Sequence, residues 1–205
     1  MLKISSLCVN FNQLKVIENF SYSFTEHEIT VLYGPSGCGK TSLLNAIAKT
    51  LSFKGIIKRP SKLSYVFQED RLLPWMTVYE NLEFVLKNDI KKEERYDYIM
   101  SYLNLVGLAE HKDVFPNALS GGMKRRVAIA RAFSYPSDLI LMDEPFKGLD
   151  WQLKESIMSD VRKLWLKDKK TVLFVTHDEK EAYFLGDKIL FLKGLPLEIS
   201  YEKTL

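Results

Sequence analysis

An apolar strand running into a glycine-rich turn and then a helix constrains this chain more than any other feature. Ile29–Tyr33 is a compact apolar run of strand character, and it leads straight into Gly34-Pro35-Ser36-Gly37-Cys38-Gly39-Lys40-Thr41, with Ser42 following. Thr41–Leu51 then reads as a helix. Glycines let the backbone fold tightly and aim successive N–H groups at one point. The helix adds its positive end. Strand, loop and helix in this order form a cradle for phosphate. Lys40 supplies a point charge for the β- and γ-phosphates of a nucleotide. Thr41 offers a hydroxyl ligand to Mg²⁺.

Bulk properties exclude several other classes. The 205 residues carry 29 Lys and Arg against 26 Asp and Glu, a net charge of +3, too mild for a nucleic-acid partner. Cys8 and Cys38 are too few for a disulfide framework, which fits a reducing cytosol. No secretory leader pattern and no run of eighteen apolar residues is present, so any membrane link is expected to go through a partner.

Periodicity places the remaining elements. Alternation around Ile4, Leu7, Val9, Phe11, Phe20, Tyr22 and Phe24 predicts short antiparallel strands over residues 1–30. Residues about 70–117 change character, with helical periodicity in Val78–Leu86 and Tyr96–Leu105 and a charged stretch, Lys87–Arg95, read as a solvated loop. This part is expected to be a helical subdomain inserted in an α/β core, within a single domain spanning 1–205. Val127–Phe133 and Leu153–Trp165 read as helices, and Leu63–Phe67, Leu139–Met142 and Thr171–Val175 as strands. Strands alternating with helices predict a mainly parallel sheet. The last eleven residues have no clear pattern.

Two further segments carry chemistry. Leu139–Met142 ends in Asp143-Glu144. Asp143 suits a magnesium ligand at a strand end, and Glu144 is placed to polarise an attacking water as general base. Leu119-Ser120-Gly121-Gly122-Met123 leads into the basic run Lys124-Arg125-Arg126. Ser120 is expected to cap a helix, with Gly121 and Gly122 exposing N–H groups at its positive end. Alone, the serine is an ordinary cap and the basic run a solvated face.

Taken together, the phosphate loop, Ser-Gly-Gly on a helix, the strand ending in Asp-Glu and a lone His177 after a strand resemble, in that order, the ATP-binding subunits of ABC transporters. The resemblance covers Ile4 to about Leu192. It implies a phosphate-loop ATPase core that binds ATP and Mg²⁺ and works as a head-to-tail homodimer. It implies that Ser120, Gly121 and Gly122 contact the γ-phosphate held by the opposite subunit. Gln68 would be a magnesium ligand that couples the site to a membrane partner, and Asp150 would sit in the loop facing the second copy. His177 would contact the γ-phosphate, and Phe11 would stack on adenine. Met123, Lys147 and Gly148 depart from the usual residues, and Lys147 puts the contacts of the dimer-facing loop in question.

Glu69–Leu82 is similar to the corresponding segment of nitrate, sulfonate and taurine importers. There Leu72, Leu73, Trp75 and Met76 form an apolar patch beside Pro74, expected to dock on integral membrane permease subunits. An importer would also depend, indirectly, on an extracytoplasmic solute-binding protein. The chain would sit on the cytoplasmic face of the cell membrane. An exporter or a cytosolic assembly complex is the alternative. A chromosome-maintenance ATPase does not fit, because only about eighty residues without heptads separate Thr41 from Ser120.

Overall fold

The computed structural model describes residues 1–205. The N-terminal alternation becomes an antiparallel hairpin, β1 (Lys3–Phe11) and β2 (Leu14–Ser23). β3 (Ile29–Tyr33) runs into the glycine loop and α1 (Lys40–Ala48). This helix ends three residues before the sequence-based boundary, because Lys49 turns left-handed at φ 61° and closes the last turn through Ala46 O and Asn45 O.

A strand not anticipated from sequence follows. β4 (Lys54–Lys58) joins the hairpin to give a three-stranded sheet of order β2-β1-β4. Gly55 permits this pairing: a Cβ there would lie 2.4 Å from the carbonyl oxygen of Ser6. Most of β4 is exposed, so it lacks the apolar alternation that reveals strands.

The larger sheet contains β5 (Leu63–Val66), β6 (Leu139–Asp143), β7 (Thr171–Thr176), β8 (Lys188–Lys193) and β9 (Glu198–Thr204). Its order is β5-β6-β7-β3-β8-β9, parallel throughout except for the antiparallel edge strand β9. The unreadable C-terminal residues are that edge, an exposed strand defined by pairing with β8 rather than by its own pattern.

Between β5 and β6 the chain leaves the sheet for α2 (Val78–Leu86), α3 (Lys92–Leu105), two short 3-10 turns and α4 (Gly121–Ser134). The expectation of a loop over Lys87–Arg95 holds through Lys91 and is corrected for Lys92–Arg95. α3 starts at Lys92, with Glu93 and Glu94 at its positive end, and Arg95 folds back to donate to Ile90 O and Lys87 O, both at 2.8 Å. α5 (Trp151–Asp168) and α6 (Glu179–Leu185) complete the helices.

Neighbouring residues of the central strands point into different cores. Ile140, Met142, Val172 and Phe174 pack under the helices α2–α6. Leu139, Leu141, Leu173 and Val175 pack against α1 and the antiparallel sheet. Each fully buried side chain of this kind contributes about 1.5–3 kcal/mol. The architecture is a phosphate-loop ATPase core with a mainly parallel sheet, an N-terminal antiparallel β layer and an inserted helical segment. No helix is long and apolar enough to cross a membrane.

Candidate active site

Three neighbouring central strands deliver the site residues to the carboxyl-terminal end of the sheet. β3 ends at the phosphate loop, β6 at Asp143, and β7 just before His177. Backbone choice at the loop is severe. A Cβ on Gly34 would meet Leu192 O at 2.5 Å, and Gly39 adopts φ 100° as the N-cap of α1. No side chain caps α1, whereas Thr77, Ser120, Asp150 and Asp178 cap α2, α4, α5 and α6. The first N–H groups of α1 therefore point at the cleft with no internal acceptor.

The cleft, about 320 Å³, is lined by the loop residues Ser36, Gly37, Gly39, Lys40, Thr41 and Ser42 and by Gln68, Asp143, Glu144 and Lys147. That volume lies at the lower end of ligand sites. Lys40 is buried, and its ammonium bridges Gly34 O at 2.8 Å and Pro35 O at 2.7 Å. Cys38 is buried in the core beside α1, and both cysteines are free.

Thr41 Oγ1 donates to Asp143 Oδ1 at 3.1 Å, joining residues 102 positions apart. Burial pushes the Asp143 carboxyl up, and the adjacent Glu144 adds to this against the hydrogen bonds from Thr41 and Tyr65. A cation at this carboxylate would relieve that cost. Thr41, Asp143 and Gln68 offer only oxygen atoms, which suits a hard cation. No three His, Cys, Asp or Glu side chains are arranged to hold a metal ion by themselves, so the set fits Mg²⁺ completed by phosphate oxygens better than a protein-only cage.

Glu144 follows with φ 43° and anchors its N–H on Val175 O at 3.0 Å. Its Oε1 lies 3.2 Å from His177 Nδ1, and its Oε2 lies 3.1 Å from Lys147 Nζ, at ion-pair distance though not aligned as a hydrogen bond. Burial opposes ionisation of Glu144, but Lys147 and His177 outweigh it and hold the carboxyl below its ordinary value. The ionised form, which accepts hydrogen bonds, is thereby favoured.

Other expected residues lie elsewhere. Ser120 caps α4 by accepting from Met123 N at 3.3 Å, and neither it nor Gly121 and Gly122 lines the cleft of its own chain. Asp150 caps α5 through Leu153 N at 3.0 Å. Phe11 is exposed at the end of β1, and the hairpin lines the cleft with Leu14 and Val16 instead. Lys147, placed by sequence in a dimer-facing loop clear of nucleotide, lines the cleft and contacts Glu144, because the left-handed Glu144 and Gly148 curl that loop back.

Two arginines were missed. Arg125 and Arg131 are not a solvated basic face. Arg125 is buried, donates to Phe67 O at 2.9 Å and to Gln68 O, and lies 3.1 Å from Asp70 Oδ1. Arg131 donates to Arg71 O at 2.9 Å. Buried Asn81 completes the support, with its side chain on Leu73, Met76 and Thr77. The sequence signal available was the run of apolar residues, Val127–Ala130 and Ala132–Phe133, that surrounds Arg131 and follows Arg125 in the same helix.

Comparison with known proteins agrees with this geometry. Residues 17–147 match the family described as ABC transporter. The chain is 40% identical over 197 residues to an uncharacterised ABC transporter ATP-binding protein of Methanocaldococcus jannaschii, covering 91% of this chain and 74% of that one. It is 38% identical over 211 residues to the taurine import ATP-binding protein of Rhizobium johnstonii, covering 96% and 80%. Among solved structures it resembles a bacterial ABC transporter cassette in its dimeric form, with a TM-score of 0.83, 30% identity and coverage of 100% and 98%. The same cassette in a post-hydrolysis state bound to ADP and phosphate gives a TM-score of 0.81 at 30% identity, again covering 100% and 98%.

Proposed function

The chain belongs to the ABC transporter family as an ATP-binding, ATP-hydrolysing subunit, and from that premise we propose that it powers an importer of a small solute such as taurine, a sulfonate or nitrate. Residues 1–205 act as one ATPase domain, with about 70–117 as its helical subdomain. Two copies close head to tail on two ATP molecules. The contact that carries the reading is Thr41 with Asp143 at 3.1 Å, beside Glu144 with His177 at 3.2 Å: an oxygen-rich cation site next to a carboxylate poised for water.

The loop from Gly34 to Ser42 binds the phosphates, with Lys40 moving from its own carbonyls to the phosphate oxygens. Thr41, Asp143 and Gln68 would hold Mg²⁺, which when bound offsets phosphate charge. Glu144 takes a proton from water as its oxygen bonds to the γ-phosphorus, the bond to the β,γ-bridging oxygen breaks and that oxygen leaves with ADP; His177 orients the carboxylate and contacts the γ-phosphate. Phe11 is exposed at the end of the hairpin whose Leu14 and Val16 line the cleft, and stacks there on adenine. Because Ser120, Gly121 and Gly122 lie outside their own cleft, their N–H groups serve the site of the second copy, with the Asp150 loop at the interface.

Integral membrane permease subunits dock near Trp75, which is 69% exposed at a turn reached directly from Gln68. This docking holds the chain at the cytoplasmic face of the membrane, with a solute-binding protein as an indirect partner. The kinship with taurine import proteins at nearly full coverage favours import over export.

The test is light scattering of Glu144→Gln with and without MgATP. An ATP-dependent shift from monomer to dimer supports the sandwich and the role of Glu144. ATP binding without a shift removes the homodimer from the proposal, and failure to bind ATP removes the site assignment.

A further inference from the structure

Lys147 stands where a cation is not expected, and its position is specific. It follows Glu144 by three residues, and its backbone N–H donates to Glu144 O at 3.2 Å, so a tight turn brings the two side chains together. The ammonium lies 3.1 Å from Glu144 Oε2 while His177 holds Oε1 at 3.2 Å. The Glu144 side chain is only 14% exposed, whereas that of Lys147 is 49% exposed. A pair with one partner so exposed adds little to stability. Its consequence is orientation, because a carboxylate free to swing loses alignment with a reacting water.

We infer that Lys147 is a positioning residue for hydrolysis: its ammonium, at ion-pair distance from Oε2, and His177 at Oε1 together restrain the Glu144 carboxylate where it lines the phosphate cleft. A carboxylate offers about four acceptor sites, so the single His177 contact leaves Oε1 room for water. The clamp is built within one chain, from the turn after β6 and the end of β7. It does not require closure by a second copy. The inference rests on the reading of Glu144 as general base.

The experiment is steady-state ATPase kinetics of the full chain carrying Lys147→Ala, Lys147→Gln or Lys147→Arg, each alone and combined with Glu144→Gln. Lys147→Ala and Lys147→Gln are expected to lower kcat about tenfold, a part of the two to four decades typical of general-base catalysis. KM for ATP should stay within about twofold of wild type, given that the clamp acts on the base and not on the nucleotide. Lys147→Arg should restore most of kcat. With Glu144→Gln present, the Lys147 changes should cost nothing further. The glutamine variant keeps much of the stem, so a fall with alanine alone marks a disturbed turn and overturns the inference. An unchanged or raised kcat overturns it, as does a raised KM or a further loss beside Glu144→Gln, either of which assigns Lys147 to the nucleotide. Wild-type turnover in Glu144→Gln alone would instead remove the general-base reading, visibly and without any Lys147 variant.

Discussion

The phosphate loop takes its shape from eight consecutive residues, while the segment from Gln68 to Met76 takes its shape from side chains far along the chain. At the loop, glycines, the end of β3 and the start of α1 define a cradle almost without help, and Lys40 closes on carbonyls five and six residues away. At the second segment, Arg125 reaches Gln68 O across 57 positions and Arg131 reaches Asp70 O across 61. Both arginines come from α4, the helix that Ser120 caps. One region binds by local backbone geometry. The other is a surface loop held by one buried and one partly buried arginine of the helix that presents Ser-Gly-Gly. A shift of α4 on closure would therefore be felt directly at Gln68 and at the Trp75 turn.

This contrast predicts that damage to the two regions will read out differently. The largest effect is expected at the loop: Lys40→Met should weaken ATP binding about a hundredfold in isothermal titration, since lost charge-assisted contacts cost about 2–3 kcal/mol. Arg125→Ala should act on the fold instead. It leaves Asp70 and two carbonyls without a buried partner, so a loss of about 3 kcal/mol is expected. In a chain of this size that lowers the thermal midpoint by about 6–12 °C. ATP affinity should remain within about threefold, and an equal loss of affinity would break the comparison. Arg125→Lys should rescue little, because one ammonium cannot replace the guanidinium fork. The smallest change in stability, under about 0.5 kcal/mol, is expected for exposed Trp75→Ala. In the reconstituted transporter that variant should hydrolyse ATP while transporting less. An unchanged transport rate would separate the Trp75 turn from permease docking.

The residues differ in legibility for the same reason. Thr41, Asp143 and Glu144 could be read because strand and helix patterns flank them, and the structure places them together. α2 could be read from the apolar periodicity of Val78–Leu86. β4, β9 and the start of α3 could not, since their exposed residues carry no periodicity and pairing or capping decides them. The Arg125 and Arg131 anchors looked like surface charge because sequence records charge but not depth.

By itself, then, the sequence determined the phosphate cradle, the parallel core and the kinship with ABC transporter ATPases. These depend on short-range backbone conformation and on the alternation of buried side chains. Only the tertiary structure decided that Lys147 faces Glu144, that Ser120 lies outside its own cleft, and that buried Arg125 and partly buried Arg131 carry the Gln68 loop. Lys147 reaches Glu144 through left-handed turn conformations that residue spacing does not reveal, and the arginine contacts depend on how a distant helix and loop meet, because a buried charge such as Arg125 must find its partner wherever the packing brings one within reach.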